Sequence, residues 1–163
     1  MYVHIFVAVL KSIIVKLENE IQQSKFKSAK HKAVLNIFFT SGWLGCNQQR
    51  FFKEHGLSPQ QYNVMRILRG QKGNPVTING IQERMLDRSS NASRLIDKLS
   101  EKKLVERVIS KIDRRQVDIL ITEKGLTLLK KIDTEIDTME NTYSKITEAE
   151  AEELSRILDK LRG

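Results

Sequence analysis

The sequence has little of what several protein classes require. Cys46 is the only cysteine among 163 residues, which excludes an internal disulfide framework and is typical of a protein in a reducing compartment. No apolar run approaches the roughly 18 residues that a membrane-spanning helix needs. The composition therefore predicts a cytoplasmic protein of one compact unit, with no membrane segment.

The residue patterns of enzymes and metal proteins are also missing. His4, His31 and His55 are not spaced with Cys, Asp or Glu as metal ligands are. There is no phosphate-binding glycine loop and no nucleophile elbow, and the pair Gly42 and Gly45 favours close helix packing over phosphate binding. We therefore expect no catalytic residues, no metal and no cofactor.

Positive charge is what the sequence has in excess. It contains 28 Lys and Arg against 20 Asp and Glu, a net charge of +8, which favours a polyanion as partner, although a solvated basic surface would have the same composition. Residues 84–115 hold ten basic and five acidic residues, so 10 − 5 = +5 of the charge lies in this stretch.

The amino end is apolar. "MYVHIFVAVL" has no basic residue before it and no cleavage site after it, so we do not expect export; a start codon assigned too far upstream would also explain the first dozen residues. Leu10, Ile13, Ile14, Leu17 and Ile21 have the 3-4 spacing of an amphipathic helix.

Three helices are predicted next. The first, marked by apolar residues from Val34 to Phe52, ends near Gly56. A capping box at Ser58 with Pro59 opens the second, which runs to about Gln71 and buries Tyr62, Met65 and Leu68. Thr77 caps the third, whose short apolar stripe of Ile78, Ile81 and Met85 reaches to about Leu86.

A fourth helix begins in "SNASRLIDKLSEKKLVE". Ala92, Leu95, Ile96 and Leu99 share one face, and short polar groups and Arg94 fill the first turn of the other. Such groups reach bases and phosphates when a helix enters a major groove; equally, they cap helices. With the preceding short helix this is a helix-turn-helix arrangement.

A β-hairpin follows. Val105, Arg107 and Ile109 alternate before its tip, and Val117, Ile119 and Ile121 alternate after it. Two arginines at the tip of such a wing can lie along phosphates or insert into a minor groove.

Residues 93–125, "SRLIDKLSEKKLVERVISKIDRRQVDILITEKG", resemble the signature of the MarR family of winged helix-turn-helix transcriptional regulators, and "LSPQQYNVMRIL" resembles the family's second helix. The resemblance spans roughly residues 30–161. It implies a mainly α fold with a small β-hairpin wing and with N- and C-terminal dimerisation helices. It also implies a homodimer that places this helix in the major groove of double-stranded DNA and the wing on the adjacent minor groove.

By this resemblance and the local charge, the expected DNA-binding residues are Arg88, Ser89, Ser90, Asn91, Ser93, Arg94, Lys98, Lys111, Asp113, Arg114 and Arg115. Asp97 matches the acid that often pairs with the second wing arginine. We therefore expect an ion pair between Asp97 and Arg115 that orients the wing.

The carboxyl half favours a dimer. Leu129, Ile132, Ile136, Met139 and Tyr143 follow a 3-4-3-4 spacing. Thr147 and Glu150 form a second capping box before a helix with Leu154, Ile157, Leu158 and Leu161 on one face. Together these helices have more apolar surface than a small DNA-binding lobe can bury. We therefore expect a second copy of the chain to cover it, with packing inside one chain as the alternative.

The family's usual control is a small aromatic or amphipathic effector, for which Trp43, His55 and Tyr62 are candidate pocket residues unless they are simply core. Cys46 is a candidate redox-sensing thiol, because some relatives sense oxidants through cysteine. Its place far along the first long helix is unlike theirs, and a buried or inert cysteine is the alternative.

We thus predict one continuous domain, with dimerisation segments at 1–56 and 123–163 and a DNA-binding lobe at 57–122. The predicted function is a bacterial-type regulator that binds a pseudo-palindromic operator. The alternatives are a nonspecific architectural DNA-binding protein and a protein-interaction module on the same scaffold.

Overall fold

The structure is a computed structural model that describes residues 15–110, 116–140 and 145–163, with the backbone alone at 137–140. Within these ranges it contains seven helices and three short strands. In chain order they are α1 Leu17–Glu20, α2 Ala29–Glu54, α3 Pro59–Gly70, β1 Val76–Thr77, α4 Ile78–Arg84, α5 Ala92–Glu101, β2 Val105–Ile109, β3 Val117–Ile121, α6 Glu123–Glu140 and α7 Glu148–Arg162. The mainly helical class with a small hairpin is confirmed.

The helix boundaries follow the predicted capping chemistry. Ser58 and Gln61 satisfy each other's backbone N–H groups at the start of α3, and Thr147 and Glu150 do the same at α7. Gly56, with φ +68°, follows the end of α2. Helix α4 ends at Arg84, two residues before the predicted end, because Met85 takes an extended conformation there.

The sheet is antiparallel in the order β1-β3-β2. In the hairpin, Val105 pairs with Ile121 and Ile109 pairs with Val117, as the alternation of apolar residues predicted. Strand β1 was not predicted, since its two residues pair with β3 at only Ile119 and Asp118, and two residues are too short to show a period.

The chain divides into two compact units. One holds Gly45–Met139, and the other holds the described residues up to Leu44 together with those from Glu140 on. The first unit has a continuous apolar core drawn from α2, α3, α4, α5, the sheet and α6, with Met65, Ile81, Ile96, Leu99, Ile119, Leu129 and Ile132 as its largest fully buried side chains. No helix in the described ranges is both long and apolar enough to cross a membrane.

Two predicted apolar stripes differ from the structure. Leu129 and Ile132 are completely buried in the core of their own unit, so this part of the α6 stripe is covered within the chain and not by a partner. Near the amino end, Val15 and Lys16 are not helical, and α1 begins only at Leu17; residues 1–14, with Leu10, Ile13 and Ile14, lie outside the described residues.

Candidate nucleic-acid interface

Helix α5 has one buried and one exposed face, as predicted. Ala92, Ile96 and Leu99 are buried in the core, whereas Arg94, Asp97 and Lys98 are exposed. The apolar spacing fixes the rotation of the helix, because the buried stripe can face only the core. The polar side chains of the first turn therefore point to solvent.

The residues before α5 form its cap and not its first turn. Asn91 is the N-cap, and its side-chain oxygen accepts a hydrogen bond from the Arg94 N–H at 3.0 Å. Ser89 and Ser90 lie in the turn ahead of the cap. The capping interpretation of Asn91 is thus correct, and a role in DNA binding has to be compatible with it.

Asp87 organises the two turn serines. Its Oδ1 accepts from the Ser89 hydroxyl at 2.6 Å and from the Ser89 N–H at 3.0 Å, and its Oδ2 accepts from the Ser90 hydroxyl at 2.7 Å. These hydrogen bonds, that from the Ser89 hydroxyl foremost, lower the pKa of Asp87 below its ordinary value. The carboxylate therefore stays ionised at neutral pH and acts only as an acceptor.

Gln82 of α4 joins the turn to both helices, and sequence reasoning missed it. Its Nε2 donates to the carbonyl oxygens of Arg88 at 2.6 Å and Ser90 at 2.8 Å, and its Oε1 accepts from the Ala92 N–H at 3.1 Å. The only signal in the sequence is a long amide side chain next to the buried Ile81. The effect is a turn held by side-chain hydrogen bonds at its start and at its end.

The cations of this surface fall into two groups. Lys102 donates to the Gly56 carbonyl at 2.5 Å and to Gln61 Oε1 at 3.3 Å, so it has a structural partner. Arg88, Arg94 and Lys98, by contrast, make no side-chain hydrogen bond or ion pair with any described residue. Being exposed, these three cations are available to a polyanion.

An ion pair connects the β2–β3 hairpin, the wing, to α5. Arg107 Nη2 on β2 lies 2.5 Å from Asp97 Oδ1. The predicted partner of Asp97, Arg115, lies outside the described residues, as do Lys111, Asp113 and Arg114. The expected pairing of Asp97 with Arg115 therefore stays a prediction, and Arg107 is a partner that the sequence did not indicate.

The "TEKG" stretch is a structural junction between the hairpin and α6. The Thr122 hydroxyl donates to the Lys103 carbonyl at 2.8 Å and accepts from the Gly125 N–H at 3.1 Å. Lys124 Nζ donates to the Lys102 carbonyl at 2.9 Å. A Cβ at Gly125 would lie 2.3 Å from the Leu104 carbonyl oxygen, so only glycine fits there.

Two of the three candidate pocket residues lie in one aromatic cluster. Tyr62 stacks on Phe52 with ring centroids 4.2 Å apart, and His55 packs edge-on against Phe51 at 5.1 Å. The His55 side chain is 4% exposed, and its Nε2, 3.4 Å from Glu135 Oε2, is buried with no hydrogen-bond partner in the described structure. The cluster thus combines aromatic surface with an unsatisfied polar atom.

Charged groups lie beside this cluster. Arg69 forms a two-point hydrogen bond with Asp133 at 2.5 and 3.2 Å, and that carboxylate raises the pKa of the Arg69 guanidinium. Arg66 donates to the Tyr62 hydroxyl at 2.9 Å. These contacts fix α3 against α6 and hold the Tyr62 hydroxyl in place.

The other two candidates, Trp43 and Cys46, are exposed. Trp43 lies in the other unit and is 46% exposed, so it is not a core residue. Cys46 is a free, exposed thiol on α2, which contradicts the alternative of a buried cysteine. Among the described residues no group of three His, Cys, Asp or Glu side chains is placed to hold a metal ion.

Helices α4 and α5 are joined by a turn that side-chain hydrogen bonds hold in place, and a β-hairpin bonded to α5 follows them. This arrangement defines a winged helix-turn-helix protein. Comparison with known proteins identifies the family within this class. The sequence model of the MarR family matches residues 55–116. The regulator MhqR of Bacillus subtilis is 31% identical over 139 residues, covering 83% of this chain and 91% of MhqR. The chain belongs to the MarR family of transcriptional regulators, which agrees with the expectation that it is not an enzyme.

Solved structures show the same fold at lower identity. The organohalide-sensing regulator RdhR in its 2,4-dichlorophenol-bound form superposes with a TM-score of 0.73 at 19% identity, covering 86% of this chain and 85% of RdhR. The MepR–DNA complex of Staphylococcus aureus has a TM-score of 0.67 at 23% identity, covering 84% of this chain and 97% of MepR. Both similarities establish the fold.

Proposed function

We propose that this regulator binds a pseudo-palindromic operator as a homodimer in the cytoplasm, with α5 in the major groove. One observation carries the proposal: the exposed face of α5 and its preceding turn presents Arg88, Arg94 and Lys98 with no described partner. Cations of this kind bind phosphates, while the short polar groups among them suit base edges. MepR, which shares the fold, has been solved in complex with DNA, and this supports DNA as the partner.

Each part of the predicted site has a separate task in this proposal. Ser89, Ser90, Ser93 and Arg94 read the major groove, and Arg88 and Lys98 contact phosphates. Asn91 sets the start of the helix as its cap. Lys111, Asp113, Arg114 and Arg115 form the wing contact in the minor groove, which rests on the family resemblance alone.

The dimer is supported by exposed apolar side chains in the unit that does not contain α5. On α2, Phe38 is 71% exposed and Trp43 46%, and on α7 Leu154, Ile157 and Leu161 are each about half exposed. Five large apolar side chains in water are unfavourable unless something covers them. A second copy of the same faces is the cover that a two-fold operator requires.

Control by a small aromatic or amphipathic effector is the third part of the proposal. The cluster of Phe51, Phe52, His55 and Tyr62 combines aromatic side chains with one buried nitrogen, His55 Nε2, which makes no hydrogen bond to a described residue and lies 3.4 Å from Glu135 Oε2. Aromatic surface with a few polar groups is typical of small-molecule sites. The 2,4-dichlorophenol-bound form of RdhR has the same fold. An effector that favours a spacing of the two α5 helices unlike that of successive major grooves would lower operator affinity.

An architectural DNA-binding protein is the second candidate, since a basic face needs no base readout to bind DNA. DNA selection from random duplexes at near-physiological salt separates the two. An enriched two-fold motif with half-sites about one helical turn apart is expected for the operator-binding regulator. Binding with no motif indicates the architectural role, and no binding of either kind refutes both.

A further inference from the structure

The turn between α4 and α5 restricts which hydrogen bonds its serines can offer. A serine hydroxyl has one proton to donate and two lone pairs to accept with. The protons of Ser89 and Ser90 both point to Asp87, at 2.6 and 2.7 Å. Because an ionised carboxylate cannot donate, the direction of both bonds is fixed.

What remains available on each serine hydroxyl is its capacity to accept. Phosphate oxygens are also acceptors, so a hydroxyl in this state cannot bond to the DNA backbone. In the major groove the donors are the N6 amino group of adenine and the N4 amino group of cytosine, whereas guanine O6 and N7 and thymine O4 are acceptors. The two serines can therefore accept a hydrogen bond from adenine or cytosine. Opposite guanine or thymine, each hydroxyl would place one acceptor against another.

The turn is rigid enough for this restriction to matter. Gln82 binds the carbonyls of Arg88 and Ser90 and the N–H of Ala92, so the backbone on both sides of Ser89 is held. Both hydroxyl bonds to Asp87 are charge-assisted, which makes them about twice as strong as neutral ones. Turning a serine proton toward DNA would break such a bond.

Resting on the proposed function, we propose that Asp87 makes Ser89 and Ser90 acceptor-only readers, which select an adenine or cytosine amino group in each operator half-site. Asp87 is then a positioning residue that sets specificity without touching the base. Ser93 provides the contrast, because its hydroxyl has no hydrogen bond to a described residue and is free both to donate and to accept.

The test removes single amino groups from the operator. After an operator has been selected with the wild-type protein, each adenine of one half-site is replaced by 2′-deoxyribosylpurine and each cytosine by the 2-pyrimidinone nucleoside. Both analogues lack only the amino group. We expect about 3- to 10-fold weaker binding, the value of one neutral hydrogen bond, at one or two positions. Ser89→Ala or Ser90→Ala should lose the same factor on the normal operator and lose no more on the analogue.

Asp87→Asn adds a second readout. An asparagine accepts through one atom and donates through the other, so one serine proton is released, and guanine or thymine should become tolerated at the matching position. Base preference at positions coupled to Ser93 should not change. Thermal unfolding checks that the variant is folded. If it is not, the Ser89→Ala and Ser90→Ala variants decide the test.

The outcomes separate this inference from the function on which it rests. If the wild-type protein selects no motif, the proposed operator function is refuted and the inference falls with it. If a motif is selected but no amino removal couples to Ser89 or Ser90, or Asp87→Asn keeps the wild-type preferences, the acceptor-only reading is wrong and the regulator assignment stands.

Discussion

A single amide side chain holds the turn on which base recognition is proposed to depend. Gln82 makes three hydrogen bonds to backbone groups of Arg88, Ser90 and Ala92. No other described side chain connects α4 to both ends of this turn. The position of the residues proposed to read DNA is therefore set by a half-buried residue whose amide already makes three hydrogen bonds within the protein.

Gln82→Ala should destabilise the protein and weaken operator binding. It leaves three backbone groups without protein partners, and we expect a loss of about 1–3 kcal/mol in the free energy of unfolding, measured by urea denaturation. Gln82→Met is the matched control, since it fills a similar volume without hydrogen bonds. Wild-type stability and operator affinity in Gln82→Met would show that the hydrogen bonds do not position the turn.

Gly125→Ala should be among the most damaging small substitutions in the chain. The added methyl group would lie 2.3 Å from the Leu104 carbonyl oxygen and 2.8 Å from Ile121 Cγ1, so backbone has to move, at a cost of about 1–3 kcal/mol or more. Gly45→Ala is the control: it meets nothing within 4 Å in the interior of α2 and should stabilise the helix by about 0.5–1 kcal/mol. Thermal unfolding of both variants measures the difference, and equal effects would contradict the packing argument.

At the scale of elements, α5 and the wing are linked by the ion pair between Asp97 and Arg107. Both side chains are about half exposed, and exposed ion pairs contribute only about 0–1 kcal/mol to stability. The contribution of this pair is therefore to orientation, since it links the exposed face of α5 to strand β2.

Exchanging the two charges tests that role. Asp97→Arg and Arg107→Asp each leave two like charges facing each other, and each should weaken specific binding. The double variant has the wild-type net charge and a restored pair, so it should recover part of the lost affinity and show clear non-additivity. Fluorescence anisotropy on the selected operator measures this. If the double variant loses as much binding free energy as the two single variants together, the pair does not orient the wing.

Elements with a repeating pattern or a defined cap were predictable, and contacts specific to this chain were not. The face of α5, the capping boxes at Ser58 and Thr147 and the hairpin strands follow from spacing and residue type. Strand β1 is too short for a period to show. The partners of Gln82 and Asp97 are set by how α4, the turn and β2 meet, which the local sequence does not contain. Those of Asp87 are only two and three residues away, in a local side-chain turn of the kind that Asp and Ser favour. The apolar face of α6 was predicted to pack against a second copy, because periodicity shows that a helix has a buried face but not what covers that face.

At the scale of the whole molecule, the apolar residues proposed for the dimer and the cations proposed for DNA binding lie in different units of the chain. The cations of the proposed DNA surface belong to Gly45–Met139, whereas the exposed apolar residues of α7 belong to the other unit. The proposed dimerisation and the proposed DNA binding can therefore be disrupted separately. Such a separation is what an assembly needs if a second copy covers one surface while DNA covers the other.

Ile157→Lys tests the dimer without changing the DNA surface. Leu154, Ile157 and Leu161 have the i, i+3, i+7 spacing of a single helical face and are 49%, 49% and 59% exposed, so a charge at the centre of this face opposes its burial against a second copy. Because the site is exposed in one chain, the fold should survive. Analytical ultracentrifugation should give a dimer for the wild-type protein and a monomer for the variant at micromolar concentration.

The matched control is Ser155→Lys, which adds the same charge to the same helix away from the apolar face and should stay dimeric. In DNA binding, Ile157→Lys should lose affinity for the full operator while keeping the weaker, salt-dependent binding to random DNA, because each monomer retains its cations but reads one half-site. A dimeric Ile157→Lys protein with unchanged operator affinity would contradict the dimer through α7. Another surface, such as that of Phe38 on α2, would then have to hold the two copies together.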